Sequence, residues 1–283
     1  MQISFQGELG SYSHQACSEA FPDAVPLPCS TFETAMDQVK EGNSEYAIIP
    51  VENSTYGRVA DAYYLLPNSG LFIIKEHFLR VHINLLALPG VSLSEIKTAM
   101  SHSVLLGQCR RFLNKHKIKS LSGIDTAGSA KIVSESNDRS KSALASPLAA
   151  EIYGLDSLGV EIEDMKNNTT RFLIMSNKKK NFHFEKNKKF MTTIVFQVKN
   201  IPAALYKAMG GFATNNVNMV KLESYMVSGT FTSTQFYADI EGHPDEEKVK
   251  RALDELVFFT SFFKILGVYA VSYTHLTLPT IRL

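Results

Sequence analysis

Residues 177–190 read Asn-Lys-Lys-Lys-Asn-Phe-His-Phe-Glu-Lys-Asn-Lys-Lys-Phe, six lysines against one glutamate with no apolar period of two or 3.6. A stretch of that composition offers no face to bury, so it reads as a solvated basic linker. It splits the chain into a first domain, 1–176, and a second, 191–271. A nucleic-acid patch is the weaker reading of the same lysines. The chain carries 29 Lys+Arg against 28 Asp+Glu, a formal net charge of +1, which leaves no field to steer a polyanion. At 45% hydrophobic residues, its 283 positions can fill two cores and exclude overall disorder.

The first part alternates. Strand signals at 1–5, 46–51, 71–78, 81–88, 142–145, 160–164 and 170–176 are interleaved with helix signals at 12–20, 31–40, 94–98, 105–115, 127–134 and 147–153. Ser30 is the expected cap of the second helix, and Pro147 opens the last. Such alternation predicts an α/β architecture with mostly parallel sheets, whose ligands sit beyond the carboxyl ends of strands. The second part differs. Strands at 192–198, 219–226, 234–240 and 263–268, with helices at 203–214 and 246–256, give the order βαββαβ. That order predicts an α+β ferredoxin-like unit, a four-stranded antiparallel sheet with both helices on one face. Residues 272–283 follow the completed unit and look like translated non-native sequence, so they are set aside.

No apolar run is long enough to span a bilayer, and the first residues lack a basic, apolar leader. Cys17, Cys29 and Cys109 are odd in number and share no CxxC spacing, as reduced thiols do. A soluble cytoplasmic protein acting on a small molecule is the expectation. No HxxxH, HExxH or clustered acidic metal-binding pattern is recognised in the sequence. Neither a metal nor a cofactor is therefore expected.

Five segments carry chemistry. Gly7-Glu-Leu-Gly10-Ser-Tyr-Ser-His14 joins a strand to a helix. It suits an anion cradle or simply a turn that needs glycine. Glu52, Asn53, Ser54 and Thr55 follow a buried strand at its carboxyl end, as ligand groups or as loop hydrogen bonds. Ser101 and Gln108 lie seven apart and would share a helix face if the helix began that early. Ser101 and His102, being adjacent, diverge and make no nucleophilic pair. Cys109 reads as a packed thiol despite its neighbour Arg110. Asp125-Thr-Ala-Gly128-Ser-Ala-Lys131 opens another helix. In Asn167-Asn-Thr-Thr170-Arg171-Phe172, Arg171 offers a planar fork and Thr170 a hydroxyl.

As an ordered set, these five segments resemble the prephenate dehydratase family, with Thr170-Arg171-Phe172 as its signature triplet. Asn200-Ile-Pro-Ala203-Ala204-Leu205 and Lys221-Leu-Glu223-Ser224 resemble the ACT regulatory domain of the same enzymes. The resemblance implies a two-lobed catalytic domain like type II periplasmic binding proteins. It also implies the decarboxylating dehydration of prephenate to phenylpyruvate for phenylalanine biosynthesis, and feedback inhibition by phenylalanine. On it, Thr170 supplies the hydrogen bond or proton to the leaving hydroxyl, and Asn53, Ser101 and Gln108 orient the ring. Glu52 holds Asn53 or the hydroxyl, Arg171 pairs with a carboxylate or fixes the loop, and Phe172 completes the triplet. Asn200, Ala203, Ala204, Leu205, Asn218, Glu223 and Ser224 fall at the effector site of a homodimer or homotetramer. Two departures stand out: Ala203 where the family favours glycine, so that ordinary backbone angles are expected, and Tyr225 where it favours arginine. Arogenate dehydratase is the rival within enzymes, and a non-catalytic sensor is the rival outside them. A chorismate mutase fusion is not expected, since no helical segment precedes Met1.

Overall fold

The computed structural model describes residues 1–180, 182–185, 187–227 and 234–271, so the expectation for 272–283 lies outside the described residues. Two compact units form, each from two stretches of chain. One combines Met1–Val59 with His77–Phe172, the other Ala60–Glu76 with the residues from Leu173 onward.

The first unit opens with β1 (Gln2–Gln6), α1 (Tyr12–Ala20), β2 (Val25–Cys29), α2 (Phe32–Lys40) and β3 (Tyr46–Asn53). β1 lies parallel to both β2 and β3. Its Ile3 and Phe5 are fully buried, and the equally buried Ser4 between them is satisfied by donating to Ala35 O at 2.6 Å. Ser11 caps α1 by accepting from His14 N at 3.2 Å. α2 is capped by Thr31, which accepts from Thr34 N at 3.0 Å, and not by Ser30. Thr31 has the extended backbone a cap requires (φ −135°), and the helix starts one residue later than expected. The short β4 (Gly57–Arg58) folds back on the end of β3, Gly57 facing Asn53. Next come α3 (Ala60–Leu65) and β5 (Phe72–Arg80), of which residues 60–76 belong to the second unit.

The remainder of the first unit comprises β6 (Asn84–Ala87), β7 (Thr98–Ser101), α4 (Ser103–Gln108), α5 (Arg110–Lys115) and β8 (Lys119–Ser122). It continues through α6 (Thr126–Glu135), β9 (Lys141–Ala145), α7 (Pro147–Tyr153) and β10 (Asp156–Gly159). The five strands order as β10-β6-β9-β7-β8. β7 is parallel to β8 and β9, whereas β6 runs antiparallel to β9 and β10, so this sheet is mixed and not mostly parallel. Three expectations are corrected here. Residues 94–98 contain only a 3₁₀ turn, Leu93–Glu95, closed by a Ser92/Glu95 capping box, before β7 begins. The helix expected over 105–115 is broken at Cys109, whose φ of −114° leaves the helical range. Residues 160–164 are a loop, because Glu161 sits in the left-handed region (φ 50°) where no strand can run; the strand is β10, before it.

β11 (Thr169–Ser176) starts in the first unit and ends in the second. The second unit then holds β12 (Phe190–Val198), α8 (Ala204–Thr214), β13 (Met219–Met226), β14 (Thr234–Glu241), α9 (Glu247–Phe258) and β15 (Thr260–Ala270). The order β13-β14-β12-β15, antiparallel throughout, is the ferredoxin-like arrangement. Ile194, Phe196, Phe236, Ala238 and Ile240 point to one face and pack on Ala208, Phe212, Val249, Leu253 and Leu256 of the two helices. The alternation of period two delivers this packing directly.

A sheet with helices on one face only must cover the other. Here residues 60–76 do so, although they fall within the span expected for the first domain. Tyr63 stands edge-on to Tyr237 with ring centres 4.9 Å apart, Lys264 Nζ donates to Pro67 O at 2.6 Å, and Ile73 pairs with Gly267. A Cβ at residue 267 would collide with the backbone of Ile73, so the approach needs glycine there. The basic linker is also tethered: His243 Nε2 lies 2.9 Å from Phe182 O, and the Phe184 ring sits against His243. No helix among the described residues is long and apolar enough to cross a membrane.

Candidate active site

The strand order places β3 beside β11, and hydrogen bonds between residues more than 110 apart in sequence lock their ends together. Ser54 N donates to Thr169 O, Thr169 N to Ser54 Oγ, and Ser54 Oγ to Asn167 O, all between 2.6 and 2.9 Å. Side chains alternate along each strand. Asn53 and Thr170 therefore meet on one face, while Glu52 and Arg171 meet on the other.

Asn53 is the hub. Its Oδ1 accepts from Thr55 N at 2.9 Å and Tyr56 N at 3.0 Å, which fixes the amide orientation. Its Nδ2 then donates to Thr170 Oγ1 at 3.0 Å and to Asn168 Oδ1 at 2.7 Å. Asn168 Nδ2 in turn donates to Gln108 Oε1 at 3.1 Å. Asn53 and Asn168 each accept at the carbonyl and donate from the amide nitrogen. Gln108 accepts through its carbonyl, so its amide nitrogen is the end left with donors. Thr170 accepts from Asn53, so its own O–H is directed elsewhere.

Gln108 and Asn168 line a cleft of about 230 Å³ with Tyr56, Glu163 and Asp164. Burial first, and nearby acidic groups second, raise the protonation range of neighbouring acids. The buried Tyr12 phenol is pushed up by desolvation first, then by Cys109 and Glu163. The Cys109 thiol is pushed up by desolvation, then by Asp164 and Glu163, as a packed, inert thiol should be.

Ser101 ends β7 before α4 begins, so it shares no helix face with Gln108; it is fully buried, and its hydroxyl donates to Leu144 O at 2.7 Å. Phe172 is 1% exposed and belongs to the core. Arg171 lies with its Nη1 3.9 Å from Glu52 Oε2 and is 8% exposed, so this pair anchors the strands on the face away from Thr170. His102 caps α4, accepting from Val104 N. The glycine-rich loop proves to be a structural turn and not an anion cradle. Gly10 N donates to His14 Nδ1 at 3.0 Å, and Gly10 O accepts from Ser146 Oγ at 2.6 Å. Asp125 caps α6 through Gly128 N.

Among the expected effector residues, Asn200 and Ala203 are exposed in the turn before α8, and Ala204 and Leu205 open that helix. Ala203 adopts the left-handed conformation (φ 56°, ψ 27°), against the ordinary angles expected of it. Its side chain bears the strain a glycine would avoid. Asn218 precedes β13, and Glu223 on β13 lies 3.3 Å from Lys221 Nζ, with Ser224 exposed beside it.

Asn168 was missed as a site residue. Its signal was the doubled asparagine before Thr169-Thr170, but only the fold brings it to Gln108, 60 positions away.

Comparison with known proteins identifies the family. The family described as "Prephenate dehydratase" matches residues 3–180. A Komagataeibacter europaeus protein named bifunctional N-acyl-homoserine lactone acylase/prephenate dehydratase is 46% identical over 95% of this chain and 96% of its own. The chloroplastic arogenate dehydratase/prephenate dehydratase 1 of Arabidopsis thaliana is 37% identical, over 95% of this chain and 72% of its own. The prephenate dehydratase of Arthrobacter aurescens, solved in complex with L-Phe, superposes with a TM-score of 0.86 at 29% identity, over 96% of this chain and 90% of its own. From its own residues and from these relatives alike, the chain belongs to the prephenate dehydratase family.

Proposed function

We propose that this enzyme is a lyase that converts prephenate to phenylpyruvate, water and carbon dioxide, with Thr170 as the donor to the leaving hydroxyl. The Asn53–Thr170 hydrogen bond carries the reading. The bond between ring and carboxylate breaks, carbon dioxide departs, and its electron pair completes the aromatic ring as the 4-hydroxyl leaves. That hydroxyl needs a proton or a strong hydrogen bond, and Thr170, accepting from Asn53 at 3.0 Å, has its O–H to give. Threonine is a weak acid, so positioning and the fixed amide dipoles of Asn53, Asn168 and Gln108 supply much of the rate. Arg171 and Glu52 act indirectly, by holding the strands in register.

The second unit is read as an ACT domain that binds phenylalanine and lowers activity by biasing a two-state equilibrium. Its βαββαβ order and the L-Phe complex of the Arthrobacter aurescens relative support this. The exposed row Val220, Leu222 and Met226 on β13, an edge strand, favours pairing of subunits as a homodimer or homotetramer. Three buried free cysteines support a reducing cytoplasm.

Two relatives motivate a second substrate. Arogenate, the amino-acid analogue, needs an acidic partner for its ammonium, and Asp164 lines the cleft. An N-acyl-homoserine lactone is the substrate class in the name of the Komagataeibacter europaeus relative. The deciding experiment incubates the full chain with each compound, following phenylpyruvate, phenylalanine or released fatty acid, with and without added phenylalanine. Phenylpyruvate formation that phenylalanine suppresses is the expected result. No turnover of prephenate overturns the reading.

A further inference from the structure

Beside the cleft, three ligand-bearing side chains converge from segments about 80 residues apart. His82 Nδ1 lies 3.4 Å from Glu161 Oε1 and 3.5 Å from Glu163 Oε1, and all three ligand atoms fall within 4.8 Å of one another. Sequence spacing hides this group: its two glutamates lie two apart, and its histidine is far away.

Glu163 is the informative member. Its side chain is 1% exposed; Oε2 accepts from Ile83 N at 3.0 Å, but Oε1 is buried with no hydrogen-bond donor among the described residues. His82 Nδ1 is likewise buried without a hydrogen-bond partner. A buried carboxylate oxygen left bare costs several kcal/mol on the usual scale, so such atoms ordinarily face a cation. The separations are long for N–H···O hydrogen bonds, whose mode is about 2.9–3.0 Å. They match the edge of a tetrahedron with arms of about 2.1 Å, which is roughly 3.4 Å.

We propose that His82 Nδ1 and one carboxylate oxygen each from Glu161 and Glu163 form a divalent-cation site of the zinc type, completed by water. One nitrogen and two oxygens are a donor set that zinc, cobalt(II) and manganese(II) accept. Glu161 is half-exposed and leaves a path for entry, while Glu163 forms the buried floor. Its role is structural. Residues 161–168 are already laced to 81–83 by Ile162 N→Ile83 O and Val81 N→Asn168 O, both 2.9 Å. A cation there clamps the loop that carries Asn168 to the active site. The dehydration needs no metal, so binding and activity are separable readouts.

The test uses untagged full-length protein stripped with chelator and titrated with zinc or cobalt(II) chloride. One equivalent should bind by calorimetry. Cobalt(II) should show the visible absorption of a four- or five-coordinate site, and saturating zinc should raise Tm by roughly 5–10 °C. Glu163→Gln keeps the acceptor for Ile83 N and should abolish the zinc response. Glu161→Gln, at the half-exposed position, should weaken binding by at least about 10-fold without disturbing the fold by circular dichroism, so one folded variant remains informative. No stoichiometric binding, or binding that survives both substitutions, overturns the proposal and leaves only a contact of His82 with Glu161 and Glu163.

Discussion

The two units reach their order by different routes. In the βαββαβ unit, strand neighbours and helix faces follow from local periodicity, and Ile194, Phe196, Phe236, Ala238 and Ile240 reach the core simply by alternating. In the catalytic unit, the working groups are joined by hydrogen bonds that skip 60 to 117 residues, as in Gln108–Asn168 and Asn53–Thr170. Periodicity builds a scaffold, whereas a chemical site needs directional bonds between loop ends. A substitution in the packed scaffold of either unit should therefore change stability, and one in the long-range hydrogen bonds of the site should change turnover at nearly constant stability.

The sharpest way to break that contrast is Asn53→Ala. Removing the donor to Thr170 Oγ1 should lower kcat by about 100-fold with KM changed far less, as steady-state kinetics on prephenate will read. Next in size is Gly10→Ala. Gly10 has φ +85°, and a Cβ there would lie 2.9 Å from Ala149 Cα in α7. Left-handed strain and a backbone clash together should cost about 2–4 kcal/mol by denaturant unfolding.

A smaller effect comes from His14, whose Nδ1 must stay unprotonated to accept from Gly10 N. Burial lowers its pKa from the ordinary 6.5, so the folded state binds this proton less readily than the unfolded chain. Its contribution is fully present above pH 6.5 and is lost as pH falls through the lowered folded value. The slope reaches at most about 1.4 kcal/mol per pH unit, and His14→Gln should flatten it. Smallest is Ala203→Gly, which relieves a left-handed alanine and should stabilise the chain by about 0.5–1 kcal/mol in thermal unfolding. Basal kcat should stay constant in that variant; a change would erase the distinction between the units.

How much was legible in the sequence follows the same division. All six elements of the βαββαβ unit appeared in order, because amphipathic patterning is local. α1 and α7 of the first unit were read to the residue, thanks to the glycine-rich turn before the one and Pro147 at the start of the other. Their short companions escaped: β2 carries two prolines, β8 is exposed along its whole length, and α3 spans only six residues. Thr170, Asn53 and Gln108 were named from a family resemblance, and the fold joins them. Ser101, Arg171 and Phe172 came with the same motifs. Alternation along β11 sends Arg171 toward Glu52, in line with the loop-fixing alternative, while Phe172 and Ser101 are buried. The cover that Tyr63 lends to the second unit was invisible, since nothing in residues 60–76 states which sheet they serve.

Single-turnover measurement of prephenate conversion by Thr170→Ala and Thr170→Ser tests the central claim most directly. If the Thr170 hydroxyl serves the leaving group, serine should keep the rate within about 10-fold, and alanine should lose about 10²–10⁴-fold with unfolding unchanged. An alanine variant that converts prephenate at near the original rate would contradict the account.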